Sequence, residues 1–148
     1  MTTQSLTQTY VRWMIRRDLP EVLAIEAENG PPVPGSLMEE RFLRFNRGRS
    51  NIPLISEMKE VITGFCLYTL TPEQLWLRRI AVASAWRFQG MATAMVNKMK
   101  KGIRTGAKRT GIVVFVPEEN LAAQLFFKSQ DFKARGLEDG QIEMVFRV

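Results

Sequence analysis

A chain of 148 residues, 45% of them hydrophobic, can bury one sizeable core and has too little left for a second, so one domain over residues 1–148 is expected. Twenty-one lysines and arginines (21) against 15 acids give a net charge of +6, and there is no histidine, which removes histidine-based triads and the commonest zinc ligand. A lone cysteine, Cys66, excludes an internal disulfide, and no apolar run or leader pattern in Met1 to Leu19 suggests a membrane or secreted fate, so a cytoplasmic location is expected.

Residues 1–9 are polar and expected to fray. Val11 to Arg16 suits a first strand, and Asp18 then stands as the cap of a helix from Leu19, with Pro20 in its first turn and an end near Asn29-Gly30. Gly30-Pro31-Pro32-Val33-Pro34-Gly35 is a stiff loop, after which Ser36 is placed to cap a helix through Phe45, with Glu39 in the capping-box position. Ile52–Ser56 and Val61–Leu70 make a hairpin turning at Lys59 and Glu60.

The next strand, Leu75 to Val82, carries Arg78 and Arg79 side by side, and simple alternation sends one to each face. A helix follows in which Met91, Met95, Met99 and Ile103 form an i, i+4 core stripe. Gly111 to Val116 is a continuous apolar strand of the kind buried on both faces, ended by Pro117. A helix from Leu121 to Ser129 and two strands, Phe132–Arg135 and Gln141–Val148, complete an α/β sandwich.

The basic residues are scattered in pairs, Arg16-Arg17, Arg47 with Arg49, and Arg78-Arg79. A further group spans Lys98 to Arg109, and its densest run, Lys98, Lys100, Lys101 and Arg104, falls at the end of an expected helix, where cations complement the dipole. This is the pattern of a solvated surface, and a nucleic-acid-binding reading rests on net charge alone.

The most informative segment is Ile80-Ala81-Val82 followed by Arg87-Phe88-Gln89-Gly90-Met91-Ala92-Thr93. It reads as strand, loop and helix, with an Arg-x-x-Gly-x-Ala signature where the helix begins. A glycine and a small residue there let a bulky anion approach the unpaired N–H groups of the first turn. Asn120-Leu121-Ala122-Ala123-Gln124-Leu125-Phe126-Phe127 follows the next strand and closes with Asp131-Phe132.

This order resembles the GNAT acyltransferase superfamily, and within it the ribosomal-protein alanine N-acetyltransferase (RimI-like) branch. The resemblance implies a GNAT fold, a mixed twisted sheet with splayed central strands and a bulge near Ile80, where the simple alternation of Arg78 and Arg79 would fail. It implies acetyl-CoA as acyl donor, with Ile80, Ala81, Val82, Arg87, Phe88, Gln89, Gly90, Met91, Ala92, Thr93, Asn120 and Phe127 as its contacts. The acceptor groove would be bordered by the segment from Gly30 to Phe45. The family's usual general base, a glutamate five residues before the asparagine, falls on Phe115, and its usual acid, a tyrosine seven residues after, falls on Phe127. Neither phenylalanine transfers a proton. Water, or Glu118 and Glu119, remain as replacements for the base, although acids before a helix also serve its dipole. Arg135 to Gly140 lacks the aromatic residue of the family's acceptor-binding hairpin. The expected activity is acetyl transfer to an amine, on a small molecule or a protein N-terminus, by a monomer or homodimer. The alternative is a catalytically impaired CoA-binding regulatory or partner-binding module.

Overall fold

The computed structural model describes residues 9–30, 35–105 and 108–148, without the side chains at positions 36, 104 and 105. In chain order the elements are β1 (Tyr10–Trp13), a short 3₁₀ turn (Arg16–Asp18), α1 (Leu19–Asn29), α2 (Gly35–Arg47), β2 (Asn51–Met58), β3 (Val61–Leu70) and β4 (Gln74–Val82). A second 3₁₀ turn (Ser84–Trp86) leads to α3 (Met91–Thr105), β5 (Gly111–Pro117), α4 (Leu121–Ser129), β6 (Lys133–Glu138) and β7 (Gln141–Arg147).

The strands form one sheet in the order β1-β2-β3-β4-β5-β7-β6. Every neighbouring pair is antiparallel except β4 and β5, which are parallel and joined through α3. Strand alternation divides the core between two faces. Leu54, Cys66, Leu77 and Val114 pack with Met95, Val96 and Met99 of α3 and Phe127 of α4. Ile55, Phe65, Leu67 and Ala81 pack with Val22 and Ile25 of α1 and with Met38 and Phe42 of α2. The methionine stripe of α3 is therefore core, as its spacing predicts: Met91, Met95, Met99 and Ile103 are all buried.

Several local expectations are corrected. The first strand stops at Trp13, and Asp18 makes no side-chain cap to α1. Its carboxylate instead accepts two bonds from the Arg12 guanidinium, at 2.8 and 2.9 Å, and one from the Ile15 amide at 2.8 Å. A charged bidentate partner outcompetes a neutral helix amide. Helix α2 begins at Gly35, which places residue 36 inside its first turn; the capping role expected of Ser36, residues 31–34 of the proline loop and the fraying expected of residues 1–8 lie outside the described residues. The last hairpin is longer than expected, with β6 running on to Glu138 and turning at Asp139 (φ 52°) and Gly140 (φ 74°).

Candidate active site

The site begins with a parting of two strands. β4 and β5 pair from Gln74 to Leu77 against Gly111 to Val114, and no further. Beyond that point β4 continues to Val82 on β3, and β5 continues to Pro117 on β7. A V-shaped gap is left between Arg78–Val82 and Phe115–Pro117, enclosing about 130 Å³ lined by Leu77, Ile80, Phe115, Asn120 and Phe127 among others.

Backbone polarity in the gap follows from register. The Ala83 amide donates to the Thr63 carbonyl of β3 at 2.8 Å. In an antiparallel ladder every second residue faces the partner, so Ala81 also turns its amide to β3 while Ile80 and Val82 turn theirs into the gap. The Val82 carbonyl confirms the direction by accepting from Asn29 Nδ2 at 3.1 Å, away from β3. The gap is thus edged by unpaired strand amides, which a polar chain can satisfy by lying there as a substitute strand.

The bulge that accompanies this parting sits at Arg78, two residues before the expected Ile80. Leu67 of β3 faces Arg79 and Tyr68 faces Leu77, leaving Arg78 as the extra residue. An inserted residue interrupts the two-residue alternation. Arg78 and Arg79 consequently share the α1/α2 side of the sheet and line one groove, so simple alternation, which would send them to opposite faces, fails here as a bulge in this strand implies.

On one side the gap opens into a cleft of about 520 Å³. Its walls are Ile80, Ala81 and Val82 from β4, Arg87, Phe88 and Gly90 from the loop, Met91, Ala92 and Thr93 from α3, and Asn120 and Phe127 from around α4. Of the residues expected to contact the acyl donor, only Gln89 is absent from this wall, and its side chain instead braces the loop by donating to the Ala85 carbonyl at 3.3 Å. Gly90 adopts φ +86°, and a Cβ built on it meets nothing within 4 Å, so its surface is an open approach to the backbone. The first intrahelical bond here runs from Ala94 N to Gly90 O at 3.0 Å, which leaves the N–H groups of Met91, Ala92 and Thr93 without helical acceptors. Phe88, also at positive φ (62°), stands fully in solvent beside them.

The loop is tied down by residues at the end of α1 that the sequence marked only as a helix terminus. Asn29 receives a bond from Arg87 at 2.8 Å and gives one to Val82, clamping loop to strand. The Glu28 carboxylate takes the Ser84 hydroxyl at 2.7 Å and the Ser84 amide at 3.1 Å. Those bonds, the hydroxyl's first, hold its carboxyl below the usual range.

On the other side the gap meets a groove of about 560 Å³ between α1, α2 and the sheet. Glu26 reaches Arg79 there, with Nε 2.9 and 3.0 Å from its two oxygens and a further bond from Nη2. Asn120 stands at the junction of all three spaces; its side chain accepts from Ala123 N at 3.1 Å as the cap of α4.

Proton-transfer groups are scarce at the junction. Phe115 is stacked on Trp76 at 6.2 Å between centroids and 12° between planes. Phe127 is buried, edge-on to Phe126 and Phe132 at 5.1 and 5.2 Å. Glu118 and Glu119 are exposed on the turn after β5, and neither lines the gap, the cleft or the groove. The turn is fixed by its backbone instead, with the Glu118 amide donating to the Gly140 carbonyl at 2.9 Å. Among the described residues the one carboxylate that lines these spaces is Glu26.

A sheet split beside a helix whose first-turn amides are open has the room and the donors for a long ligand with an anionic end. Residues 50–134 match the family model described as "Acetyltransferase (GNAT) domain". The chain therefore belongs to the GNAT acetyltransferases, enzymes that take their acyl group from acetyl-CoA. Comparison with curated protein sequences gives no significant match. Among solved structures, a PaiA N-acetyltransferase from Thermoplasma acidophilum, in complex with coenzyme A, superposes with a TM-score of 0.79 at 11% identity, over 95% of this chain and 99% of that one. A ribosomal-protein alanine N-acetyltransferase from Escherichia coli gives 0.79 at 18% identity, over 95% and 94%. A spermidine N-acetyltransferase from Vibrio cholerae gives 0.78 at 16% identity, over 95% and 94%. At such identities these likenesses establish the fold.

Proposed function

We propose that this single domain moves the acetyl group of acetyl-CoA directly onto an amine, with the donor entering from the cleft and the acceptor from the groove. The observation that carries this reading is the parting of β4 and β5 after Leu77 and Val114, because it joins the two spaces through a channel edged with free strand amides. The amides of Met91, Ala92 and Thr93 hold the pyrophosphate at the positive end of α3, reached across the open surface of Gly90. Ile80 and Val82 pair with the pantetheine amides, and Asn120 adds a side chain at the junction. One of the same strand amides steadies the negative charge that develops on the thioester oxygen.

In the transfer the amine nitrogen bonds to the carbonyl carbon, the carbon–sulfur bond breaks, and the nitrogen's proton leaves to solvent. Phe115, Phe127 and the bonded Glu26 supply no base or acid at the junction, so the chain's residues position and polarise without shuttling protons. A thiol with a pKa of roughly 8.5 departs as thiolate without help near neutral pH. Phe115 and Phe127 also support a second reading, a CoA-binding domain whose transfer is weak. The test is release of free thiol from acetyl-CoA with and without amines. Acceptor-dependent release supports transfer; CoA binding with no release for any amine leaves the second reading.

A further inference from the structure

The groove on the α1/α2 side has a charge balance of its own. Arg41, Arg78 and Arg79 line it against one carboxylate, Glu26, and that carboxylate is bonded to Arg79. Among the described residues no other carboxylate lines the groove to balance the remaining two arginines. Arg41 is exposed on α2, and among the described residues its guanidinium has no hydrogen-bond or ion-pair partner. The adjacent acid, Glu40, is taken by Arg44 at 2.7 Å.

Arg78 is held in position. Its Nε donates to Thr69 Oγ1 at 3.2 Å, and its guanidinium lies 5.6 Å from the Trp76 ring centroid, on a tryptophan that itself stacks on Phe115. This layering gives Phe115 a role. A glutamate at this position, as in the resembled pattern, would leave Trp76 without its stacking partner and bring a negative charge near Arg78. The phenylalanine leaves Arg78 in the groove lining with no carboxylate beside it, among the described residues, to pair with. The bulge completes the arrangement, since without the extra residue Arg78 and Arg79 would fall on opposite faces.

We propose that the acceptor is an α-amine carrying a carboxylate on its own residue or the next, with Arg41 and Arg78 binding that carboxylate so that the amine faces the gap. The inference rests on the transfer reading above and names its substrate class. A polyamine is disfavoured, because its cationic chain would have to lie beside two arginines with no acid to spare. The lack of a base among the described residues at the junction points the same way. At pH 7 about a tenth of a peptide α-amine is unprotonated, against less than about a thousandth of a lysine-type amine.

Thiol release from acetyl-CoA would be followed with aspartyl-alanine, glutamyl-alanine, free glutamate, alanyl-alanine amide and spermidine. The dipeptides and glutamate separate a peptide N-terminus from a free amino acid as the source of the same chemistry. The acidic acceptors are expected to exceed the neutral amide by about tenfold or more in kcat/KM, with Arg41→Met and Arg78→Gln each removing most of that margin through KM. Equal use of the neutral amide, best use of spermidine, or a preference for acid that survives Arg41→Met would overturn the inference. Binding is read separately, as the rise in thermal midpoint that aspartyl-alanine adds to CoA-saturated protein. Transfer to neutral amines with no such rise sinks the acidic acceptor and keeps the enzyme. An Arg41-dependent rise with no transfer to any amine sinks the enzyme reading and keeps the groove.

Discussion

Gly64 links the stability of the fold to the shape of the site. It lies in β3 opposite Val82, and a Cβ placed on it would stand 2.7 Å from the Ala81 carbonyl oxygen, 2.9 Å from Ser56 Oγ and 3.2 Å from Met95 Cε. The first contact is with backbone and cannot be relieved by a rotamer change. Overpacking of this kind costs about 1–3 kcal/mol, offset by roughly 0.5–1 kcal/mol for replacing a glycine in a strand. For a chain of this length 1 kcal/mol moves the midpoint by about 3 °C, so Gly64→Ala should lower it by roughly 2–6 °C. The strain also falls on the strand whose Ile80 and Val82 amides edge the gap, so the added stability from acetyl-CoA should shrink. The control is Gly102→Ala, where a Cβ meets nothing within 4 Å inside α3 and stability should rise by about 0.5–1 kcal/mol. Thermal unfolding of the three proteins, with and without acetyl-CoA, decides the matter. A Gly64→Ala protein with an unchanged midpoint and full response to acetyl-CoA would refute the close packing of β3 against β4.

Gly90→Glu should separate fold from ligand binding. The positive φ of Gly90 costs a glutamate about 1–2 kcal/mol, partly offset by its charge near the α3 N-terminus, while the same carboxylate would stand where the pyrophosphate is expected. The midpoint should fall by a few degrees, at about 3 °C per kcal/mol, and the response to acetyl-CoA should vanish; a retained response would remove the loop from the donor site. Acid should destabilise the protein through Asp18, Glu28 and Glu143, whose carboxyls lie below their ordinary values in the fold. Burial acts to raise Asp18, but its bonds from Arg12 and Ile15 outweigh this; for Glu143 the leading cause is Arg135. A carboxyl depressed in the fold adds stability above its unfolded pKa and loses it as pH falls through the folded value. Stability should therefore decline from about pH 4 downward, and Asp18→Asn should flatten that decline in a pH series of denaturant titrations. An unaltered slope would deny Asp18 its share.

Chain order, the core stripe of α3 and the glycine loop were legible because each is written in local residue types. Hydrophobic spacing marked Met91, Met95, Met99 and Ile103, and glycine marked the loop that enters α3, where the structure gives Gly90 φ +86°. What the sequence hid depends on partners distant along the chain. Asp18 carries every mark of a helix cap, but Arg12 on β1 claims it. The resemblance implies a bulge near Ile80, but its place at Arg78 is a matter of register between β3 and β4, and no residue type announces that. Its consequence, two arginines on one face, could not be read from alternation. Glu118 and Glu119 were placed by their nearness in sequence to Asn120, and the structure puts them outside the spaces that Asn120 joins. Asn29, which clamps the loop, and Glu26, which holds Arg79, sit 53 or more residues from those partners. The sheet brings them together.

Binding of acetyl-CoA in the split between β4 and β5, at the loop of Gly90, is what the proposed transfer depends on. It is tested most directly by thermal unfolding of the unmodified protein across a series of acetyl-CoA concentrations, because a ligand that binds only the folded state raises the midpoint with concentration. At about one hundred times the dissociation constant the gain is about 2.7 kcal/mol, or roughly 8 °C for this chain. A rise that grows with concentration and is matched by CoA itself is the predicted result. A midpoint that does not move at millimolar acetyl-CoA would mean that the fold has kept its split sheet without the donor site, and the account would fail.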